Sequence, residues 1–160
     1  LDIAVKMITG FESNNQCSIF EDIDDSLLIK GNYLIYFVDI FYPLIDNVIQ
    51  RSGLPPDSRN INVLVTEDIG LNLLIIKVTN PVSKRENIKE LNESLTKKIQ
   101  DHLDDHSPQM LTQEGGSGFY KIIKTVKNSL KSRIYSIKAN FIDEETFEFD
   151  LVLECGWLRS

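Results

Sequence analysis

The residues of this sequence best suited to binding chemistry are two asparagines and a run of glycines, and Asn47 is the first of them. It stands in the segment Pro43-Leu44-Ile45-Asp46-Asn47-Val48-Ile49, which is otherwise mostly apolar. Its carboxamide oxygen is an acceptor suited to Mg²⁺ and to phosphate-bound water. The alternative is a solvent-exposed asparagine on a helix, although asparagine is a poor helix former.

The second candidate is Asn80, which follows the very apolar segment 71–79 in the sequence Val78-Thr79-Asn80-Pro81. A polar residue that leaves the end of a buried strand is well placed to meet the edge of a ligand. The alternative is a turn, because Asn-Pro is a common turn-initiating pair.

The third candidate is the glycine segment Gly115-Gly116-Ser117-Gly118, which directly precedes a predicted helix. Glycine lets the backbone adopt positive φ and approach a ligand closely. The N-terminus of the following helix would present free N–H groups and a positive dipole end to phosphate. The alternative is a flexible loop in which Ser117 caps the helix. The segment is not a Walker A motif, because no Gly-Lys-Ser/Thr follows.

Histidine and cysteine give weaker signals. His102 and His106 have the i, i+4 spacing that can bind a metal, but no third ligand follows at a useful spacing. We therefore interpret them as part of a polar helix end. Cys17 and Cys155 form neither a CxxC pair nor a zinc spacing, and we expect both to be small buried residues.

Apolar residues at helical spacing predict three helices that would position these candidates, at 33–51, 86–103 and 118–131. Each predicted helix has an apolar stripe on one face and polar residues elsewhere. Pro43 lies inside the first, where we expect it to kink or break the helix.

Strand patterns alternate with these helices. Hairpins are predicted at 61–79 and 133–154, and two short strands are predicted in 17–30 around the acidic turn Glu21–Asp25. Hairpins make a sheet largely antiparallel. The sequence therefore predicts a two-layer α/β sandwich with a mixed, mainly antiparallel sheet and helices on one face.

Size and charge restrict the class of protein. The 160 residues suit one domain, 1–160, and the start at Leu1 suggests a fragment of a longer protein. The net charge of −7 argues against non-specific nucleic-acid binding, which needs a basic face. We find neither a signal peptide nor a run of ~18 apolar residues, so we expect a cytoplasmic domain without membrane contact.

The order of these motifs resembles the GHKL ATP-binding superfamily, in particular the ATP-binding domain of sensor histidine kinases. The segment 43–49 is similar to the N-box of LytS-type kinases, with Asn47 at the position of the Mg²⁺-binding asparagine. Gly116-Ser117-Gly118-Phe119 resembles the second glycine box, and the resemblance extends over about 18–154. It implies a Bergerat-like fold that binds ATP and Mg²⁺ through Asn47, Asn80 and the glycine segment.

The sequence departs from the family pattern at two positions. The first glycine box normally reads D-x-G-x-G, with an aspartate that accepts a hydrogen bond from adenine. Here Asn80 replaces the aspartate and both glycines are absent, although AgrC-type kinases also have asparagine there. Pro43 occupies the position of the catalytic glutamate of gyrase-like ATPases, so gyrase-type water activation is not expected.

The resemblance implies that ATP lies between the Asn47 helix and the third helix, under a lid formed by 82–114. It also implies other domains of a parent protein as partners, because the chain has no phospho-accepting histidine motif. The function predicted is a histidine-kinase-type domain that presents ATP for phosphotransfer or ATP-driven regulation. The alternative is a degenerate domain that acts as an interaction or regulatory module, so enzyme activity is left open.

Overall fold

The computed structural model describes residues 17–23, 27, 29–104 and 117–156. The strands are β1 (Ser18–Ile23), β2 (Asn60–Asp68), β3 (Leu73–Pro81), β4 (Ile134–Phe141) and β5 (Thr146–Glu154). The helices are α1 (Leu34–Arg51), α2 (Ile88–Leu103) and α3 (Ser117–Lys124). Among these residues no helix is both long enough and apolar enough to cross a membrane.

The strands form one sheet in the order β1-β2-β3-β5-β4. β1 runs parallel to β2, and all other neighbours are antiparallel. The sheet is therefore mixed and mainly antiparallel, as predicted. Of the two short strands predicted in 17–30, the second is not found at the described residues 27, 29 and 30, and Asp24 and Asp25 lie outside the described residues. The first is present as β1, which runs through Glu21 and Asp22 of the predicted turn. An edge strand tolerates such charges, since its side chains reach solvent.

One face of the sheet carries the core. Alternate residues of the three central strands are fully or almost fully buried on that face: Ile61, Val63, Val65, Leu74, Ile76, Val78, Phe149, Leu151 and Leu153. They belong to one apolar cluster with the buried residues of the helices. The opposite face carries half-exposed polar residues such as Lys77 and Asp150. The predicted two-layer α/β sandwich with helices on one face is confirmed.

The helix α1 runs without a break from Leu34 to Arg51, through Pro43. Of the predicted kink or break at this proline, the break is absent. A proline inside a helix leaves the carbonyl four residues earlier without a donor. That residue is Asp39, which is exposed, so solvent can hydrate the freed carbonyl.

The third helix is shorter than predicted and changes its winding. α3 ends at Lys124, and a π-helical turn follows over Thr125–Ser129. Its predicted apolar stripe is nevertheless buried as a whole: Phe119, Ile122, Ile123, Val126 and Leu130. Burial of this stripe positions the first turn of α3 against α1.

Candidate functional site

A cavity of about 440 Å³ lies between the helices and the sheet, and Asn47, Asn80 and Gly118 all line it. This volume falls in the range of about 300–1,000 Å³ typical of small-molecule sites. Much of its wall is apolar. The apolar lining residues come from the three helices, from β4 and β5 and from the position directly after β3: Leu44, Leu95, Phe119, Phe141, Phe147 and Val82. Two asparagines and the backbone at Gly118, which are far apart in the sequence, therefore meet at one largely apolar pocket.

Asn47 and Gly118 meet where the first turn of α3 packs against α1. A Cβ atom built on Gly118 would lie 3.2 Å from Asn47 Nδ2 and 3.4 Å from Pro43 Cβ. Few real Cβ atoms have contacts this short, so a side chain here would push against the asparagine. Gly118 does not have a positive φ, so it serves the close approach of two helices rather than a left-handed turn.

The N-terminus of α3 forms one wall of the cavity at Gly118. The helix begins at Ser117, and its first N–H groups have no intrahelical acceptor. Such an end attracts anions through these donors and the helix dipole. Gly115, Gly116 and the side chain of Ser117 lie outside the described residues, so their predicted roles stay predictions.

Asn80 lies within β3 and is only 5% exposed. It pairs with Phe147 of β5, so the interpretation of Asn-Pro as a turn is wrong. Its Nδ2 donates a hydrogen bond to the carbonyl oxygen of Pro81 at 3.0 Å. Its Oδ1 accepts no hydrogen bond within the described part of the chain, so an acceptor is available at the cavity wall.

The cavity is also lined by three cationic residues that the sequence analysis did not identify: Arg51, Arg85 and Lys98. No aspartate or glutamate among the described residues lines it, although the whole chain has a net charge of −7. The cavity is therefore a locally cationic site in an acidic protein, which favours an anionic ligand. Of the three, only Arg51 could have been identified from the sequence as a neighbour of Asn47, because residues four apart lie on the same face of a helix.

Hydrogen bonds fix the segment 82–85 that follows β3. The amide of Ser83 donates to the Ser52 carbonyl at 2.7 Å, and the amide of Arg85 donates to the Glu144 carbonyl at 2.8 Å. The guanidinium Nη2 of Arg85 donates to the Arg51 carbonyl at 2.6 Å. Within the predicted lid over 82–114, the segment 82–85 is therefore tethered to the rest of the domain, and helix α2 follows it as predicted. The remainder of the lid, 105–114, lies outside the described residues.

The interpretation of His102 as part of a polar helix end is also wrong. Its side chain is 5% exposed, and its ring packs edge-on against Tyr120, with centroids 5.5 Å apart. It lies three residues after the buried Ile99, on the face of α2 that contacts α3. His106 lies outside the described residues. Cys17 and Cys155 are both buried, as predicted.

Comparison with family descriptions gives one match over residues 1–155, to the family described as "y4jQ C-terminal putative histidine kinase domain". This match includes every candidate site residue of the sequence analysis. Comparison with curated proteins gives no match.

Solved structures of histidine kinases share the fold at low sequence identity. The nucleotide-free catalytic domain of histidine kinase ThkA (TM1359) has a TM-score of 0.58 at 16% identity, covering 94% of this chain and 91% of that one. The histidine kinase AdeS of Acinetobacter baumannii has a TM-score of 0.62 at 9% sequence identity, and the match covers 97% of this chain and 64% of that one. Full-length ShkA in complex with AMPPNP has a TM-score of 0.58 at 8% sequence identity, and the match covers 94% of this chain and 28% of that one. This chain thus corresponds to one part of the longer kinases.

Proposed function

Because this chain belongs to the y4jQ C-terminal histidine kinase domain family, we propose that its cavity binds ATP together with Mg²⁺. The observation that carries the proposal is the meeting of Asn47, Asn80 and the N-terminus of α3 at one cationic cavity. These three features were proposed as nucleotide contacts from the sequence, and nothing in their spacing required them to lie together.

The residues of the cavity suit the parts of the nucleotide. Asn47 supplies a neutral oxygen ligand for Mg²⁺, which usually keeps several waters and takes further ligands from phosphate. The backbone of Gly115 to Gly118, together with the N-terminus of α3, binds phosphate oxygens. Asn80 Oδ1 accepts a hydrogen bond from the base. The bound metal ion supplies charge neutralisation for the phosphates.

We propose further that the domain works within a longer cytoplasmic protein, whose other domains are its partners. Positioning of the γ-phosphate for a histidine on another domain accounts for most catalysis in this type of transfer. Full-length ShkA, of which the matched region is 28%, was solved with the ATP analogue AMPPNP. A second candidate is a regulatory module without catalysis, favoured by the glycine-free segment 82–85, which is held by hydrogen bonds.

Isothermal titration calorimetry with Mg·ATP tests the proposal. The chain should bind one equivalent, and Asn47→Ala should weaken binding at least tenfold, or about 1.4 kcal/mol, because a metal ligand is lost. Gln50→Ala, an exposed position on the same helix, is the matched control and should bind as the parent does. Equal affinity of Asn47→Ala and the parent would exclude the metal role. Absence of any binding would favour the regulatory module.

A further inference from the structure

The strand β4 lies at one end of the sheet, so one of its edges faces no other strand. Such an edge presents backbone N–H and C=O groups that no strand satisfies. At Phe141, the last residue of β4, a side chain of α2 satisfies both. The amide of Phe141 donates to Asn92 Oδ1 at 2.8 Å, and Asn92 Nδ2 donates to the Phe141 carbonyl oxygen at 3.0 Å. A carboxamide has a donor and an acceptor, as a peptide group does, so Asn92 takes the place of a neighbouring strand here.

This contact joins two walls of the cavity. Phe141 lines the cavity, and its ring packs edge-on against Phe147, another lining residue, with centroids 5.3 Å apart. The helix α2 forms the wall that faces them, through Leu91, Ser94, Leu95 and Lys98. In the part of the chain that the structure describes, every hydrogen bond between α2 and the sheet comes from Asn92.

Apolar packing holds the end of α2 more firmly than its start. The buried residues of this helix are Ile99 and His102, which both lie near its C-terminus. Leu91 is 36% exposed, although it lines the cavity. Because hydrophobic stabilisation grows with the apolar area that is buried, the first two turns of α2 gain little from it. Their position against the sheet therefore depends on the two hydrogen bonds of Asn92.

Resting on the proposed nucleotide binding, we infer that Asn92 is a positioning residue of the nucleotide site. It holds the start of α2 against Phe141 and so sets the width of the cavity between Leu91 and the sheet. Asn92 does not itself line the cavity, so its effect on the ligand acts through the wall residues. Residues that act through one another have non-additive effects on binding, which a double-mutant cycle measures.

Amide hydrogen exchange on the ¹⁵N-labelled chain tests the contact without any nucleotide. The Phe141 amide should be protected in the parent and should exchange about tenfold faster, or more, in Asn92→Ala, because its acceptor is removed. The Ile142 amide donates to the Thr146 carbonyl at 3.0 Å and is the internal control, so its exchange should not change in a folded variant. Equal exchange of the Phe141 amide in both proteins would overturn the inference.

Calorimetry with Mg·ATP tests the consequence for binding. Asn92→Ala should weaken Mg·ATP about fivefold, because the wall at Leu91 is no longer fixed. Thr96→Ala is the matched control on α2, since its exposed hydroxyl donates to the Asn92 carbonyl within the helix. Leu91→Ala should weaken binding about threefold in the parent but less than about 1.5-fold in Asn92→Ala. Arg51→Ala, on α1, should have the same effect in both backgrounds.

The cycle separates this inference from the proposed function. If the effects of Asn92→Ala and Leu91→Ala are additive while the parent binds Mg·ATP, the inference is wrong and the proposed function stands. Unchanged affinity of Asn92→Ala, with the protection of the Phe141 amide lost, leads to the same conclusion. Failure of the parent to bind Mg·ATP would contradict the proposed function, and this inference with it.

Discussion

At the scale of single residues, the cavity is set apart from the rest of the molecule by its charge. The chain has 24 acidic and 17 basic residues, yet the cavity is lined by Arg51, Arg85 and Lys98 and by no acidic residue that the structure describes. Each cation reaches the cavity from a different part of the chain. Hydrogen bonds to charged groups are worth about 1.5–3 kcal/mol, so such side chains contribute strongly to binding an anion.

Lys98 provides the cleanest test of this charge, because its neighbour Lys97 is a lysine that does not line the cavity. We expect Lys98→Ala to weaken Mg·ATP binding about five- to tenfold, roughly 1–1.4 kcal/mol. Lys97→Ala should change the affinity less than twofold. Raising the salt concentration should narrow the difference between the parent and Lys98→Ala, because ions screen a partly exposed charge. Equal losses in both variants would show that only the overall charge matters.

At the scale of secondary structure, the site depends on how closely α3 approaches α1. Burial of the α3 stripe, including Phe119 and Ile122, presses its first turn against Asn47 and Pro43. Glycine at 118 is required for this contact, and it costs helix stability relative to alanine. Glycine is an unfavourable helix residue, but any side chain at position 118 would displace Asn47, the proposed metal ligand.

Gly118→Ala should therefore separate binding from stability. The new Cβ, 3.2 Å from Asn47 Nδ2, should displace the carboxamide and weaken Mg·ATP binding at least fivefold. The free energy of unfolding should stay within about 1 kcal/mol of the parent, because the helix propensity gained offsets the crowding. Gly31→Ala is the control, since its Cβ would meet no atom within 4 Å. Unchanged binding in Gly118→Ala would mean that the Asn47–Gly118 contact has no functional part.

The sequence predicts elements with strong periodicity well and tertiary contacts poorly. The three helices, the two hairpins and the buried stripe from Phe119 to Leu130 follow from apolar spacing. The order of motifs identified Asn47, Asn80 and Gly118, which the fold brings together. The roles of Arg85 and Lys98 could not be predicted, because a surface arginine or lysine looks the same in any sequence until the fold places it. The fixed segment after β3 was missed for the same reason.

At the scale of the whole molecule, the two faces of the sheet have separate chemistry. Asn80 faces the helices and the cavity, whereas Lys77 faces the open side. There Lys77 Nζ lies 3.3 Å from Glu148 Oε2 and 3.6 Å from Asp150 Oδ1. Burial and the neighbouring Glu148 raise the pKa of Asp150 above its usual value, and hydrogen bonding to Glu148 raises the pKa of Lys77.

A raised carboxyl pKa means that the folded state binds the proton of Asp150 more tightly than the unfolded state does. Its contribution to stability is present below about pH 4 and is lost as the pH rises through the folded-state pKa. Asp150→Asn should therefore be neutral or stabilising at pH 7, by less than about 1 kcal/mol for this partly exposed group. The difference in the free energy of unfolding between Asp150→Asn and the parent should become smaller on acidification to pH 3, where Asp150 is protonated in both states.

Chemical denaturation at pH 3, 5 and 7 measures this gain, with Glu148→Gln as the comparison. Glu148→Gln should destabilise at pH 7, since Glu148 is the main partner of Lys77. ATP affinity should not change in Asp150→Asn, because Asp150 is paired with Lys77 on the face away from the cavity. Clear destabilisation by Asp150→Asn at pH 7 would contradict the direction of its pKa shift.

Titration of the ¹⁵N-labelled chain with Mg·ATP, followed by amide chemical shifts, tests the central claim that this cavity is a nucleotide site. We expect saturable shifts concentrated at residues of the cavity wall, including Asn47, Asn80, Arg85 and Gly118. Amides at the far end of β3 from Asn80, such as that of Leu73, should shift much less. Saturable shifts centred elsewhere, or none at millimolar nucleotide, would contradict the account.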